Sequence, residues 1–202
     1  MEAVSTRPWP AHVFALPNML TYARIAATPL IAACLIWQDA LGGGAGLRWL
    51  ALVLFIAAAV TDFFDGYLAR VRGQQSAIGR MLDPIADKFL VASCLLMLAA
   101  DHTIGGWALW AALIILCREI LISGVREYLA GFAIGVPVSR LAKWKTTIQL
   151  VAVGFLLAGR PGDAVVPGVT TAGLALLWIA ALVTAYTGWE YFRDGARHLI
   201  EE

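Results

Sequence analysis

Charge is what this chain has least of. Lys and Arg supply 15 of its 202 residues and Asp and Glu 14, so 14% are charged while 60% are hydrophobic. Soluble domains run near a quarter charged, and the shortfall points to a chain built for the membrane. A formal net charge of +1 leaves no broad basic surface, which argues against nucleic acid as a partner. Cysteine is scarce too. Cys34, Cys94 and Cys117 lie far apart in apolar runs, with no CxxC pair and no metal-ligand spacing. They read as buried thiols serving as small hydrophobes. His12, His102 and His198 stand singly near segment ends and read as interfacial or solvated. Internal repeats, low-complexity tracts and a second domain are all lacking, so residues 1–202 read as one domain.

Long apolar runs are what the chain has instead. A helix needs about 20 apolar residues to cross a bilayer. Six segments qualify, at about 20–38, 47–69, 80–100, 105–128, 142–159 and 168–190, which predicts an all-α integral membrane protein with six transmembrane helices. Residues 1–16, with Trp9, His12 and Phe14, read as an interfacial lead-in. Arg24 and Pro29 interrupt the first run and no small-residue cleavage site follows, so it is expected to be a mature span and not a signal peptide.

Orientation follows from where the cations fall. Thirteen of the 15 lie at one set of span ends: Arg7, Arg24, Arg70, Arg72, Arg80, Lys88, Arg118, Arg126, Arg140, Lys143, Lys145, Arg193 and Arg197. Only Arg48 and Arg160 lie at the other. Both termini and the 70–80 and 129–141 connections are therefore expected on the cytoplasmic side.

Against this background the stretch TDFFDGYLARVRGQQSAIGRMLDPIADK, residues 61–88, stands out. Asp62 and Asp65 are three apart and Asp83 and Asp87 four apart, so each pair shares a helix face. The short 70–80 connection predicts that the second and third spans are antiparallel neighbours, with four carboxylates converging at one depth. Asp83 is expected either to cap a helix that has Pro84 in its first turn or to sit at a kink. Four carboxylates in such a place repel one another and lose hydration, and hard divalent cations relieve both. Ion pairing with Arg70, Arg80 and Lys88 at the interface is the alternative. Asp62, Gly66 and Ala69 form a stripe of small residues beside the acids, with Gly79 one turn before Asp83. Glycine inside a helix costs about 1 kcal/mol against alanine, which suggests close approach by a neighbouring helix or by a ligand.

The full pattern, Asp62-x2-Asp65-Gly66-x2-Ala69-Arg70-x8-Gly79-x3-Asp83-x3-Asp87, resembles the signature of the CDP-alcohol phosphatidyltransferase family at all eight fixed positions. The resemblance implies six transmembrane helices, a homodimer and a site near the cytoplasmic face holding two divalent ions, Mg²⁺ or Mn²⁺. It implies that Asp62, Asp65, Asp83 and Asp87 are the metal ligands, and that Asp87 is also the catalytic base for the acceptor hydroxyl. Gly66, Arg70 and Ser76 would hold the CDP group of the lipid, with Ala69 and Gly79 leaving room for it.

The acceptor is addressed by a second region. Arg118, Arg126, Lys143 and Lys145 all belong to cytoplasmic-side segments, and such a cluster suits an acceptor carrying its own phosphate. Anchoring at lipid headgroups by snorkelling side chains is the alternative. Lys143 and Lys145, two apart, cannot both face one pocket from a regular helix. Arg118-Glu119-Ile120, Arg126-Glu127-Tyr128 and the run Lys143-Trp144-Lys145-Thr146-Thr147-Ile148-Gln149 are similar to the branch of the family that uses sn-glycerol 3-phosphate. So is LPNMLTYARIAATP near the N-terminus, where the resemblance adds Asn18 and Thr21 to the residues expected to bind the CDP-lipid. The likeness spans roughly residues 16–150; beyond it the sixth span reads as apolar filler with an aromatic end. The implied reaction joins CDP-diacylglycerol to sn-glycerol 3-phosphate at the bacterial cytoplasmic membrane. Inositol phosphate or a phospholipid as acceptor is the nearest rival. An ion-coupled transporter is the rival from another class; it requires acids near the midplane, whereas these lie at one face.

Overall fold

The computed structural model describes residues 16–38, 44–72, 77–131 and 140–200, with side chains over 18–38, 44–62, 79, 81–128 and 144–193. The lead-in at residues 1–15 and the 132–139 connection fall outside the described residues. Six helices and no strand form there: α1 (Leu16–Trp37), α2 (Gly44–Arg72), α3 (Ala77–Ala100), α4 (Ala108–Gly131), α5 (Arg140–Val165) and α6 (Val169–Ile200). Each overlies one of the six expected segments. Five are long and apolar enough to cross a membrane, and α3 is the exception. Asp83, Asp87 and Lys88 sit in its first half, leaving only Phe89–Ala100 free of charge.

The scarcity of charge has a direct structural counterpart. Leu95, Leu98, Ile115, Leu156 and Leu177 are buried between helices, yet Ile56, Leu96, Leu113, Ile120 and Leu182 are exposed on the same helices. In water so much open apolar surface would drive association; here it is the face turned to lipid. Of the three thiols, Cys94 is buried as expected, Cys34 is half-buried and Cys117 is exposed on the outer face of α4. All three are free.

α5 is the central helix. Buried residues make up 44% of its span, against 28% or less for the other four spans, and it packs on α2, α3 and α6. α6 also packs along α4. The expected α2–α3 pairing is corrected: among the described residues α1 packs against both, while α2 and α3 share little contact of their own. A short connection brings two helix ends together, but it does not oblige the helices to touch along their lengths, and α1 packs along both.

One end of the bundle is tied by Arg48. Gly159 breaks α5 with φ 48° and ψ −140°, a conformation open essentially only to glycine. A Cβ there would lie 2.5 Å from the Arg48 guanidinium. Two residues on, Pro161 lacks the N–H that would reach the Leu157 carbonyl. Arg48 supplies the missing donors, with Nε to Leu157 O and Nη2 to Leu156 O, both at 3.0 Å. Its remaining hydrogen bonds go to Asp101 Oδ2 at 2.7 Å, Thr103 Oγ1 at 2.6 Å and Gln38 Oε1 at 3.4 Å.

Candidate active site

The acidic residues gather at the other end. Asp62 follows the uncharged run Trp49–Thr61 of α2, and Asp83 and Asp87 lie in the first half of α3. That helix begins at Ala77, so Asp83 is not its cap and Pro84 lies inside it. The cap expectation is therefore wrong: helix-compatible residues from Ala77 onward carry the helix past the point where proline was expected to open it.

α1 holds two of these acids in place. Arg24 Nη1 forms an ion pair with Asp62 Oδ1, and Thr21 Oγ1 donates to Asp83 Oδ1. The Arg24 side chain is wholly buried, whereas that of Asp62 is 37% exposed, so the carboxylate is gripped from inside and open from outside. Asp83 and Arg24 both bear electrostatically on Asp62. Asp62, Arg24, Glu119 and Lys88 bear on Asp87. Three of the four expected carboxylates thus share one field. Lys88, an expected counter-ion, turns its Nζ back to Pro84 O at 3.0 Å.

Asn18 and Thr21 are buried on α1, and Gly79 is buried in the first turn of α3. Asp65, Gly66, Ala69 and Arg70 lie on the helical backbone of α2, but their side chains are outside the described residues, as is Ser76 altogether. The same holds for the Lys143 side chain.

Beside the acids stands the cationic group. Lys145 lies in the second turn of α5, is 5% exposed and pairs through Nζ with Glu119 Oε1 on α4. Of the two alternating lysines, Lys145 is therefore directed inward, where it feels Arg118 and Asp87 as well as Glu119. Arg118 Nη1 lies 3.6 Å from Glu119 Oε1, and its Nη2 donates to Thr187 Oγ1 on α6 at 3.2 Å. Gly188 lets it lie there, because a Cβ at that position would come within 2.8 Å of Arg118 Cγ. Arg126 is exposed, and its guanidinium lies 5.8 Å from the Tyr191 ring centre, a cation–π placement. It still bears electrostatically on Arg118.

Four contributors escaped the sequence reading. Arg24 was legible in principle, since an arginine inside an apolar run needs an acidic partner. Glu119 was visible as an acid amid the apolar residues of α4, which carries only one other, Glu127. Thr187 and Gly188 gave no signal, because a small pair near the end of an apolar helix is ordinary.

Whether this group suits metal can be judged from its donors. Among the described residues no three acidic, histidine or cysteine side chains form a finished cage, and Arg24 already partners one carboxylate. In kind the set fits: Asp62, Asp83 and Asp87 offer oxygen alone, the ligand that hard divalent ions take.

The family model for CDP-alcohol phosphatidyltransferase matches residues 14–186. The chain belongs to the CDP-alcohol phosphatidyltransferase family. A protein of Cereibacter sphaeroides named CDP-diacylglycerol–glycerol-3-phosphate 3-phosphatidyltransferase is 39% identical, the match covering 94% of this chain and 99% of that protein. One of the same name from Rickettsia bellii is 43% identical over 88% of this chain and 93% of its own length. A rice protein named cardiolipin synthase (CMP-forming) is 35% identical over 96% of this chain and 61% of its own. The CDP-alcohol phosphatidyltransferase match takes in all six helices wholly or in part, and α6 enters it up to Tyr186, one residue before Thr187.

Proposed function

We propose that this protein transfers the phosphatidyl group of CDP-diacylglycerol to sn-glycerol 3-phosphate, giving phosphatidylglycerophosphate and CMP for phospholipid biosynthesis. The observation that carries the choice of acceptor is the buried Lys145, held beside Arg118 and within the field of Asp87. Lys145 and Arg118 share the single carboxylate of Glu119, which leaves one buried positive charge over, and an acceptor with its own phosphate is an anion that balances it. Serine or choline would leave them without use. The names of the bacterial relatives agree with this reading.

The lipid substrate has an apolar seat. A cavity of about 580 Å³ between α2 and α5 is lined by Leu52, Phe55, Ala59, Val151 and Gly154 among others. Ala59 precedes Asp62 by three residues on the same face, so an acyl chain in this groove brings its headgroup to the acids. Gly66, Ala69, Arg70, Ser76 and Gly79, with Asn18 and Thr21, receive the CDP portion.

Asp87 takes the proton from the primary hydroxyl of the acceptor. That oxygen bonds to the lipid-side phosphorus of the pyrophosphate as the bond to the CMP phosphate oxygen breaks, and CMP leaves. Asp62, Asp65, Asp83 and Asp87 would hold the divalent ions, Mg²⁺ or Mn²⁺. When bound, these neutralise the pyrophosphate and the charge on departing CMP. Arg118 and Lys145, with Arg126 and Lys143, fix the acceptor phosphate, so the hydroxyl meets phosphorus already oriented. The enzyme works as a homodimer in the bacterial inner membrane, with its site and both termini on the cytoplasmic side.

Purified protein supplied with CDP-diacylglycerol and a panel of labelled alcohols tests the proposal. Glycerol 3-phosphate should be consumed with release of CMP, chelator should stop the reaction and Mg²⁺ or Mn²⁺ should restore it. Preferential use of inositol phosphate or serine would move the protein to another branch, and full turnover in excess chelator would remove the metals from the scheme.

A further inference from the structure

α5 buries two polar side chains one turn apart on the same face, Lys145 and Gln149, at 5% and 4% exposure. Their situations differ. The ammonium of Lys145 is paired with Glu119, whereas Gln149 Oε1 is buried and has no hydrogen-bond partner. Buried polar atoms are almost always paired, and one that is not asks for a ligand, a water or a functional reason.

Two more buried atoms, on the helices that pack beside α5 and α4, are in the same condition. They are Arg118 Nε on α4 and Thr184 Oγ1 on α6. The three helices that carry them are joined at this level: α4 to α5 through Glu119 and Lys145, α4 to α6 through Arg118 and Thr187, and α5 to α6 by close packing.

The chemistry of the orphan atoms is selective. Arg118 Nε is a donor and suits a phosphate oxygen. Gln149 Oε1 is an acceptor, which a phosphate oxygen would repel. It calls for an O–H, and the amide group it belongs to both accepts and donates, as a hydroxyl does. We propose that Gln149 is a specificity-determining residue that hydrogen-bonds the non-reacting, secondary hydroxyl of the polyol phosphate acceptor. This rests on the acceptor reading given above. Lys145 and Arg118 then locate the phosphate, Asp87 the primary hydroxyl, and Gln149 the carbon between them.

The test compares sn-glycerol 3-phosphate with 3-hydroxypropyl phosphate, which lacks only the secondary hydroxyl, using the full-length protein with CDP-diacylglycerol. A site built to bond a hydroxyl discriminates strongly against its absence, so the wild type should favour glycerol 3-phosphate by about 100-fold or more in kcat/KM. Gln149→Leu should raise the glycerol 3-phosphate KM by about 10- to 100-fold. The KM for CDP-diacylglycerol should hold, and so should the weak use of 3-hydroxypropyl phosphate, so that the preference collapses. Gln149→Met, closer in shape to glutamine, should give the same collapse and guards against a packing defect in the leucine variant. Wild-type turnover of both acceptors alike would overturn this inference alone. So would equal losses on both acceptors in the two variants. A wild type that uses no polyol phosphate at all would overturn the acceptor reading, and this inference with it.

Discussion

The two ends of the bundle contain much the same materials and use them in opposite ways. At one end Arg48, Asp101, Gln38 and Thr103 close on each other and on two α5 carbonyls, so that the arginine is fully employed. At the other, Arg24 and Thr21 steady carboxylates that remain partly open, while Arg118 Nε, Gln149 Oε1 and Thr184 Oγ1 are buried without partners. A saturated knot stabilises a fold. An unsaturated one is held ready for something that arrives later, and the difference lies in hydrogen-bond bookkeeping and not in residue type.

Four substitutions press on this contrast. Asp87→Asn should have the largest effect, lowering kcat by about 10²–10⁴-fold or more while the melting temperature in detergent is retained. Retention of a tenth of wild-type turnover would take the base role away from it. Arg48→Met should act at the opposite end and on the opposite property. Removing one partner of a buried charge network costs about 3–5 kcal/mol, so chemical or thermal unfolding should shift sharply while the KM values of the folded fraction stay put. A loss of acceptor affinity in that variant would dissolve the distinction between the two ends.

Arg118→Ala should raise the KM for glycerol 3-phosphate by roughly 10- to 150-fold, corresponding to a charge-assisted hydrogen bond of about 1.5–3 kcal/mol. The KM for CDP-diacylglycerol and the metal requirement should change little, and equal losses for both substrates would make the cluster structural. Gly159→Ala should have the smallest effect, about 1–3 kcal/mol of stability from the positive φ together with displacement of the Arg48 guanidinium. Unchanged unfolding would mean that the break in α5 relaxes freely.

How much of this was legible beforehand divides along the same line. Six apolar runs gave six helices, since length and hydropathy decide membrane insertion almost by themselves. The acids were legible because carboxylates in apolar surroundings demand an explanation. Their arrangement was not. The adjacency of α2 and α3 was inferred from a short connection, and among the described residues it is α1 that packs on both. Nothing in the periodicity of α1 says which two helices it will separate. Lys145 and Lys143 could be told apart only once the face of α5 was known. Thr187 and Gly188 were hidden because a hydroxyl and a missing methyl matter only opposite the arginine they receive. Arg48 looked like one of two stray cations outside the rule of charge placement; Gly159 and Pro161, which create its task, lie more than a hundred residues away.

The pairing of Arg24 with Asp62 also bears on how the chain is made. Arg24 leaves the ribosome first, and its partner follows 38 positions later in the second half of the next helix. Until then a lone guanidinium in a nascent apolar segment lacks its counter-charge, at a cost below the ~2.5–3.5 kcal/mol that the centre of a span imposes. The first two helices therefore enter the bilayer most cheaply as a hairpin, with the charge pair formed as they enter. Asp62 in this view has an early task in biogenesis as well as a later one in chemistry, and an Asp62→Ala chain should show its first defect in membrane insertion, before any substrate is offered.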